Sequence, residues 1–414
     1  MTATDATTKA ARPGVGALFA DPLFVRIWLV GLCGGIARWL EMLVVGIFAY
    51  DATGSPFLVA LLVMLRMAPL SLFGSLVGTA ADRMSPRLLL IVALAGAGLI
   101  SGSVCGLFLF GWPSYWVVAV ASVAAGFVWT CDMPLRRRIL GDIAGHARIG
   151  PAMGIDSATN NATRMVGPFI GGVLYEWLGT DGAFALTTCL YVVCVAMVIL
   201  IPARVSEIGE VRAPSRLVAD LREGFAYAAR NPDVLRILVV TVVFNVWGFP
   251  FVSMVPVLGR DVLMLDAHEI GLLAALEAGG AFVGTLLIAT RLQHWNFRGL
   301  YYFGTMMYLC FIFLTGWMTA TVPMAVVLFG VGIGMAGFSA MQSTLIYGVA
   351  PPQLRGRLFG LVTLCIGSGV VGAANIGLMA EWFGAATAVR IIAVEGLVAL
   401  ALLGVGWREL RRGR

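Results

Sequence analysis

The sequence predicts an all-α integral membrane protein with twelve transmembrane helices in two pseudo-symmetric six-helix bundles. Composition is the first reason: 60% of the 414 residues are hydrophobic, 12% are charged and the mean hydropathy is +0.93, far above that of a soluble domain. The spacing of the apolar runs is the second, because a helix that crosses a bilayer needs about 20 apolar residues. Twelve such runs begin near residues 25, 57, 88, 114, 148, 182, 233, 267, 297, 322, 354 and 386.

These runs divide the chain into five predicted parts. They are a cytoplasmic N-terminal segment (1–24), an N-terminal six-helix bundle (25–201), a cytoplasmic linker (202–232), a C-terminal six-helix bundle (233–407) and a cytoplasmic tail (408–414). The N-terminal segment lacks the short apolar region and small-residue cleavage site of a signal peptide. In the linker, SRLVADLREGFAYAAR has an apolar face, which favours an interfacial helix over a loop.

The basic residues predict the topology. If the N-terminus is inside, the cytoplasmic segments hold nearly all the basic residues outside the spans, and the six opposite loops hold only Arg260. Cytoplasmic loops retain an excess of Lys and Arg, so both termini are predicted to lie on the cytoplasmic side of an inner membrane. The same distribution argues against a nucleic-acid partner, despite a net charge of +6.

The cysteines and histidines do not indicate a metal site. All seven cysteines lie in apolar segments without C-x-x-C spacing, and the three histidines lie at or near loops. Disulfides, a zinc site and a cofactor are therefore not expected.

The two halves of the sequence resemble each other. At an offset of 205 residues, RMVGPFIGGVLYEWLG (164–179) aligns with GVVGAANIGLMAEWFG (369–384), and at 206, GSLVGT (74–79) aligns with GAFVGT (280–285). Chance similarity between glycine-rich helices is the alternative to a duplication. Six plus six helices related by a parallel repeat are typical of transporters in which two bundles rock about a site between them.

A polar segment between the second and third predicted helices resembles the loop motif of the major facilitator superfamily, G-x-x-x-D-R-x-G-R/K-R/K. The matching residues are Gly78, Asp82, Arg83 and Arg87, whereas Ser85 replaces the second glycine and Pro86 replaces a basic residue. The resemblance implies the major facilitator fold and a cytoplasmic latch that holds one of two bundle arrangements. A plain basic cytoplasmic loop is the alternative.

The fifth predicted helix resembles the antiporter motif of the same superfamily, G-x8-G-x3-G-P-x-x-G-G. The matching residues are Gly154, Gly167, Pro168, Gly171 and Gly172, and Thr163 stands in place of the second glycine. Small residues let helices approach closely and proline removes a backbone donor, so this helix is a predicted hinge. The motif implies export, with ordinary small-residue packing as the alternative.

Two further stretches, YDATGSPFLVALLVML and PPQLRGRLFG, resemble the branch of this superfamily that contains enterobactin-type siderophore exporters and macrolide efflux proteins. The resemblance implies a siderophore or a drug-like compound as the substrate.

The energy source is predicted to be an ion gradient or the gradient of the substrate. The only lysine, Lys9, precedes the first helix, so the chain cannot form a Walker A phosphate-binding loop. Drug-antiporter relatives often carry an arginine inside helix 4. YWVVAVASVAAGFVWT has none, which weighs against a proton relay by that route.

Polar and charged side chains inside the membrane are costly and mark candidate sites. The resemblance implies that helices 1, 4, 7 and 10 line the substrate cavity. The substrate-binding candidates are Arg38, Glu41, Arg66, Trp129, Asp132, Asn245, Trp247 and Gln342. Their mixture of charged and aromatic side chains suits a small amphipathic molecule, anionic because of the arginines. The alternative is that pairs such as Arg38 with Glu41 only hold helices together.

Three carboxylates are candidates for proton coupling: Glu277, Glu41 and Asp132. Arg38 lies one turn from Glu41 and favours its charged form. Glu277 has no basic residue near it on its own helix, so it is the predicted proton carrier. Pairing of Glu277 with Arg66 or Arg164 across the bundle is the alternative.

The predicted function is secondary active transport by alternating access, in the form of proton-coupled export. Import or uniport of an organic anion and a non-transporting receptor or assembly factor are the alternatives. An enzyme is not expected, because no cluster of His, Asp or Ser lies near a membrane face. The expected partners are the substrate, protons and membrane lipids, and the chain is expected to be a monomer.

Overall fold

The computed structural model describes residues 15–83, 85–203, 217–292, 294–351, 354–405 and 407. Side chains are described in these ranges except at 15, 74–83, 146–147 and 217–221.

The described residues form twelve long apolar helices and contain no strand. Their bounds are α1 Pro22–Thr53, α2 Pro56–Arg83, α3 Pro86–Leu109, α4 Tyr115–Gly145, α5 148–178, α6 180–199, α7 Pro232–Val262, α8 Ala267–Thr290, α9 Phe297–Thr315, α10 Thr321–Val349, α11 Arg355–Phe383 and α12 Ala385–Val405. The predicted fold class is confirmed, and each predicted start lies within three residues of the observed one, the largest difference being 25 against 22.

Glycine and proline set the ends of these helices. Gly145 (φ 67°) and Gly179 (φ 70°) interrupt an otherwise continuous helical stretch and separate α4, α5 and α6, because glycine reaches positive φ without steric cost. Prolines begin α1, α2, α3 and α7, where their missing N–H would have no helical partner.

The two halves contact each other through equivalent helix pairs. A Cβ added to Gly172 of α5 would lie 2.4 Å from the backbone oxygen of Ala267 in α8. A Cβ added to Gly377 of α11, 205 residues later, would lie 2.8 Å from the Cβ of Ala60 in α2. The repeat seen in the sequence therefore places a glycine at each of the two crossings between the bundles.

An ion pair joins the bundles at the end predicted to be extracellular. Nε and Nη2 of Arg260 donate to the two carboxylate oxygens of Asp51 at 3.0 and 2.8 Å, and the hydroxyl of Tyr175 donates to Asp51 at 2.8 Å. These contacts connect the ends of α1, α5 and α7 and hold this end of the molecule closed.

Two equivalent carboxylates reinforce the closed end. Glu176, at the end of α5, accepts the backbone N–H of His268 in the first turn of α8 at 3.1 Å and also contacts its ring. Glu381, 205 residues later, accepts from the hydroxyl of Ser55 at 2.7 Å and the backbone N–H of Phe57 at 3.4 Å. Each carboxylate interacts with the N-terminus of a helix in the opposite bundle, where negative charge is favourable.

The linker, for which an interfacial helix was predicted, contains a helix at Leu217–Arg230. Its Glu223 forms an ion pair with Arg357 of α11, and Gly224 lies against Leu361. The helix is therefore docked on the C-terminal bundle, and its position at a membrane interface stays a prediction.

Candidate functional site

A cavity of about 50 Å³ lies between the two bundles. Its lining comes from α1, α5, α7, α8 and α9 and includes Trp39, Met42, Arg164, Pro168, Glu277 and Tyr308. This volume accommodates a few water molecules, whereas drug-sized ligands occupy about 300–1,000 Å³. A substrate of that size therefore requires the bundles to move apart.

An ion pair across the bundle interface forms the polar part of the cavity. Nη2 of Arg164 in α5 donates to both carboxylate oxygens of Glu277 in α8, at 2.8 and 2.7 Å. Each side chain is 13% exposed. The guanidinium also lies 5.4 Å from the ring centre of Trp39, a distance suited to a cation–π contact. The pair can form only while α5 and α8 are close, so it depends on the bundle arrangement.

One face of α5 extends from the cavity to exposed residues of the same helix. Arg164, Pro168 and Gly172 lie at helical spacing and face α8 or the cavity. The same face continues to Ser157 and Gly154, which are exposed, and a Cβ added to Gly154 would meet nothing within 4 Å. This face of α5 is therefore packed beside the cavity and exposed in the half of α5 that is predicted to be cytoplasmic.

A second group of charges lies inside the N-terminal bundle. Arg38 of α1 donates to Asp132 of α4 at 2.6 Å, and Arg136 lies 3.7 Å from the same carboxylate. Asp156 of α5 contacts Arg136 and lies 3.0 Å from Nε of Arg137. The Arg38 and Asp132 side chains are 8% and 4% exposed, so this group is less accessible than the Arg164–Glu277 pair.

The Arg38–Glu41 pair, which was the alternative to a substrate site, is replaced by contacts with other helices. Glu41 accepts from the hydroxyl of Ser101 at 2.6 Å and lies 3.8 Å from the guanidinium of Arg66. Arg38 instead pairs with Asp132. Residues three apart share a helix face, but the neighbouring helices provide closer partners. Trp129, another candidate, lies with its ring centre 5.8 Å from the Arg38 guanidinium.

The substrate-binding candidates of the C-terminal bundle form hydrogen bonds with other residues of the same bundle. The side-chain amide of Asn245 donates to the backbone carbonyl of Thr241 at 2.8 Å. The side-chain amide of Gln342 donates to the hydroxyl of the same threonine at 3.2 Å. The indole of Trp247 donates to Glu395 of α12 at 2.9 Å. The eight predicted substrate-binding residues therefore fall into separate groups, and their role in binding stays a prediction.

The cavity contains residues that the sequence analysis did not propose as site residues. Trp39, Arg164 and Tyr308 line it together with Glu277 and Pro168, which were proposed. Arg164 carried a usable signal, because a charge in the middle of a membrane helix is costly and asks for a partner. Trp39 and Tyr308 lie in apolar runs, where an aromatic residue is an ordinary packing residue.

The antiporter-motif residues of α5 differ from one another in what they contact. A Cβ on Gly167 would lie 2.8 Å from the Cβ of Trp39, and one on Gly171 would lie 3.1 Å from the backbone oxygen of Leu40, so both let α5 pack closely on α1. Pro168 lines the cavity. Their role as a hinge stays a prediction.

Only part of the predicted latch can be described. The side chains of Gly78, Asp82 and Arg83 lie outside the described part of the structure. Arg87 donates to the backbone oxygens of Val198 and Ile199 at 3.2 and 2.7 Å. A basic side chain there stabilises the carbonyl end of α6.

The sequence and the structure were both compared with known proteins, and the sequence comparison identifies the family. Residues 27–374 match the sequence model of the Major Facilitator Superfamily. An uncharacterised MFS-type transporter of Bacillus subtilis, YfiS, is 23% identical over 403 residues, which cover 91% of this chain and 92% of that protein. The staphyloferrin A transporter of Staphylococcus aureus is 20% identical over 277 residues, or 66% and 68% of the two chains. Among solved structures, a variant of the nucleoside transporter NupG superimposes with a TM-score of 0.77 at 12% identity, covering 92% of this chain and 99% of that one.

Proposed function

The chain belongs to the Major Facilitator Superfamily and is a multi-pass secondary transporter, and from this premise we propose that it exports a small amphipathic organic molecule in a proton-coupled cycle. The substrate class proposed is a siderophore or a drug-like compound. The staphyloferrin A transporter among its relatives and the resemblance of its motifs to efflux proteins support this class.

The observation that carries the proposal is the Arg164–Glu277 pair. It is an ion pair at the bundle interface with both partners partly accessible, and it lines the cavity on which the two bundles converge. A carboxylate in this position is charged while it pairs with arginine and becomes neutral when it binds a proton. Protonation of Glu277 therefore breaks a contact between the bundles, which is the requirement for coupling a proton to alternating access.

The outward direction rests on the fifth-helix motif. Gly172 lies at the crossing of α5 and α8, and Pro168 lines the cavity, so these two motif residues lie at the contact between the bundles. Gly167 and Gly171 instead pack α5 against α1. The proposed location is the inner membrane, with both termini cytoplasmic. The proposed active unit is the monomer.

Reconstitution tests this function. Purified protein in proteoliposomes that contain a pH-sensitive dye is offered a hydroxycarboxylate siderophore or a macrolide, with and without an imposed pH gradient. Proton-coupled transport predicts solute movement that responds to the pH gradient and a dye signal that depends on the solute. Uniport gives solute movement without the proton signal, and a receptor gives neither. Either outcome would overturn the proposal.

A further inference from the structure

The guanidinium of Arg164 uses only part of its capacity to bind a carboxylate. Both contacts with Glu277 come from the single nitrogen Nη2. The strongest carboxylate contact instead uses two parallel N–H groups on different nitrogens. The second terminal nitrogen, Nη1, lies 2.6 Å from Sδ of Met335, and a thioether is a weak acceptor. The preferred two-nitrogen geometry is therefore unused.

A second donor beside Arg164 also lacks an acceptor. Nε1 of Trp39 is buried and has no hydrogen-bond partner among the described residues. Buried indole N–H groups normally find a partner, and an unpaired one is costly. Because Trp39 lines the same cavity and stacks near the Arg164 guanidinium, one acceptor-rich group could use donors from both residues.

The rest of the cavity is apolar. Met42, Phe249, Phe251 and Tyr308 contribute to its walls, which suit an aromatic or aliphatic body. The Arg164–Glu277 pair is also more exposed than two ion pairs of the N-terminal bundle, with 13% for each side chain against 8% or less for Arg38–Asp132 and Glu41–Arg66. A solute can therefore reach Arg164 more readily than the charges of the N-terminal bundle.

We propose that Arg164 and Trp39 bind a carboxylate group of the substrate, and that this carboxylate displaces Glu277 from Arg164. The inference rests on the proposed transport function and names the chemical class of the substrate: a carboxylate attached to an apolar, preferably aromatic, body. Glu277 occupies the anion position in the absence of substrate.

Displacement of Glu277 by a substrate carboxylate leads to the uptake of a proton. An unpaired charge in the membrane interior is costly, and an arginine does not lose its proton in a protein, whereas a carboxylate can gain one. The displaced Glu277 is therefore neutralised by one proton for each carboxylate that binds. Among the described residues, the charged and titratable groups that face Glu277 are Arg164 of α5 and Tyr308 of α9. Carboxylate and proton then occupy the site together, so that binding leaves the net charge of the site unchanged.

Calorimetry on the purified full-length protein tests this exchange without a membrane gradient. The probe is 1-naphthaleneacetate, and its neutral amide is the reference ligand. In wild type we expect the carboxylate to bind more tightly at pH 6 than at pH 8, with uptake of about one proton read from buffers of different ionisation enthalpy. Glu277→Gln leaves Arg164 without its internal anion, so it should bind the carboxylate equally at both pH values and without proton uptake.

Two further variants test the donors, and one is a control. Arg164→Gln should weaken carboxylate binding about 10- to 100-fold, the loss typical of a hydrogen bond to a charged group, and leave the amide unaffected. Trp39→Phe keeps an aromatic side chain and removes the N–H together with the five-membered ring. It should therefore weaken binding of the carboxylate more than binding of the amide, and it tests the proposal even if Arg164→Gln does not fold. Glu223→Gln, in the linker helix and away from the cavity, should behave as wild type.

The proposal is overturned if Glu277→Gln fails to bind the carboxylate, if its binding stays pH-dependent, or if wild type binds carboxylate and amide alike. Failure of transport in proteoliposomes with the expected calorimetry intact would instead contradict the proposed function alone.

Discussion

Asp132→Asn is expected to destabilise the fold rather than to act first on transport. Asp132 is the anion nearest to Arg38 and also lies near Arg136, and the Arg38 and Asp132 side chains are 8% and 4% exposed. Removing one partner of a buried ion pair leaves an uncompensated charge, which costs about 3–5 kcal/mol. At 1.4 kcal/mol per tenfold change, the ratio of folded to unfolded protein should fall by about two to three and a half orders of magnitude.

The same network contains a matched control. The Arg137 side chain pairs with Asp156 but is 38% exposed, so Arg137→Gln should cost at most about 1 kcal/mol. The double variant Arg38→Met with Asp132→Leu removes both charges of the inner pair. It should recover most of the lost stability, because an apolar replacement of a buried pair is often neutral or stabilising.

Unfolding in mixed micelles, followed by tryptophan fluorescence, measures these differences. Wild type, Asp132→Asn, Arg137→Gln and the double variant are titrated with denaturing detergent under identical conditions. If Asp132→Asn is as stable as wild type and loses affinity for substrate, the structural interpretation of this network is wrong. The sequence prediction of Asp132 as a substrate-binding residue would then be favoured.

Three other predictions concern topology and conformational balance. A cysteine at position 215 (Ser215→Cys) should react with an impermeant maleimide only after the cells are opened, because the arginine-rich linker is predicted to be cytoplasmic. Labelling of intact cells beyond the wild-type background would refute the predicted topology. Asp82→Asn should leave expression unchanged and slow turnover. A latch contact worth about 1–3 kcal/mol shifts the balance between two bundle arrangements about 5- to 150-fold. Wild-type transport by the variant at matched expression would exclude the latch. Arg260→Gln removes a partly exposed contact with Asp51 worth about 0.2–1 kcal/mol, so it should lower the ratio of closed-end to open-end molecules about 1.4- to 5-fold. The change is measured as a larger share of long distances between spin labels at positions 177 and 264. An unchanged distance distribution would show that the pair does not hold this end closed.

The helices were predictable because their signals are local. Apolar runs, prolines at helix starts and glycines at breaks lie within a few residues of the features that they determine, so Pro56 and Pro232 mark helix starts directly. The boundary at Gly179 was predicted near residue 182, because Thr180 and Asp181 are polar and the apolar run begins after them, although both lie inside α6. The repeat was also visible, since duplicated segments keep their spacing.

The partners of the charged side chains were not predictable in this way. Arg38 was expected to interact with Glu41 on its own helix, but its partner Asp132 is 94 residues away. Glu277 pairs with Arg164 across 113 residues and two bundles, a contact that the sequence offered only as one of two alternatives. Helical spacing shows which residues share a face, whereas the helix facing them depends on the packing of the whole bundle. For the same reason, Trp39 and Tyr308 could not be told from packing residues.

Transport by Glu277→Gln is the most direct test of the central claim that the Arg164–Glu277 pair couples protons to bundle movement. The variant is reconstituted beside wild type, and solute movement is measured under an imposed pH gradient and, separately, as counterflow exchange without a gradient. We predict that the variant loses the response to the pH gradient and keeps substrate binding and counterflow, because glutamine cannot exchange a proton while the cavity stays intact. If the glutamine variant still responds to the gradient as wild type does, Glu277 is not the coupling residue and the account is contradicted.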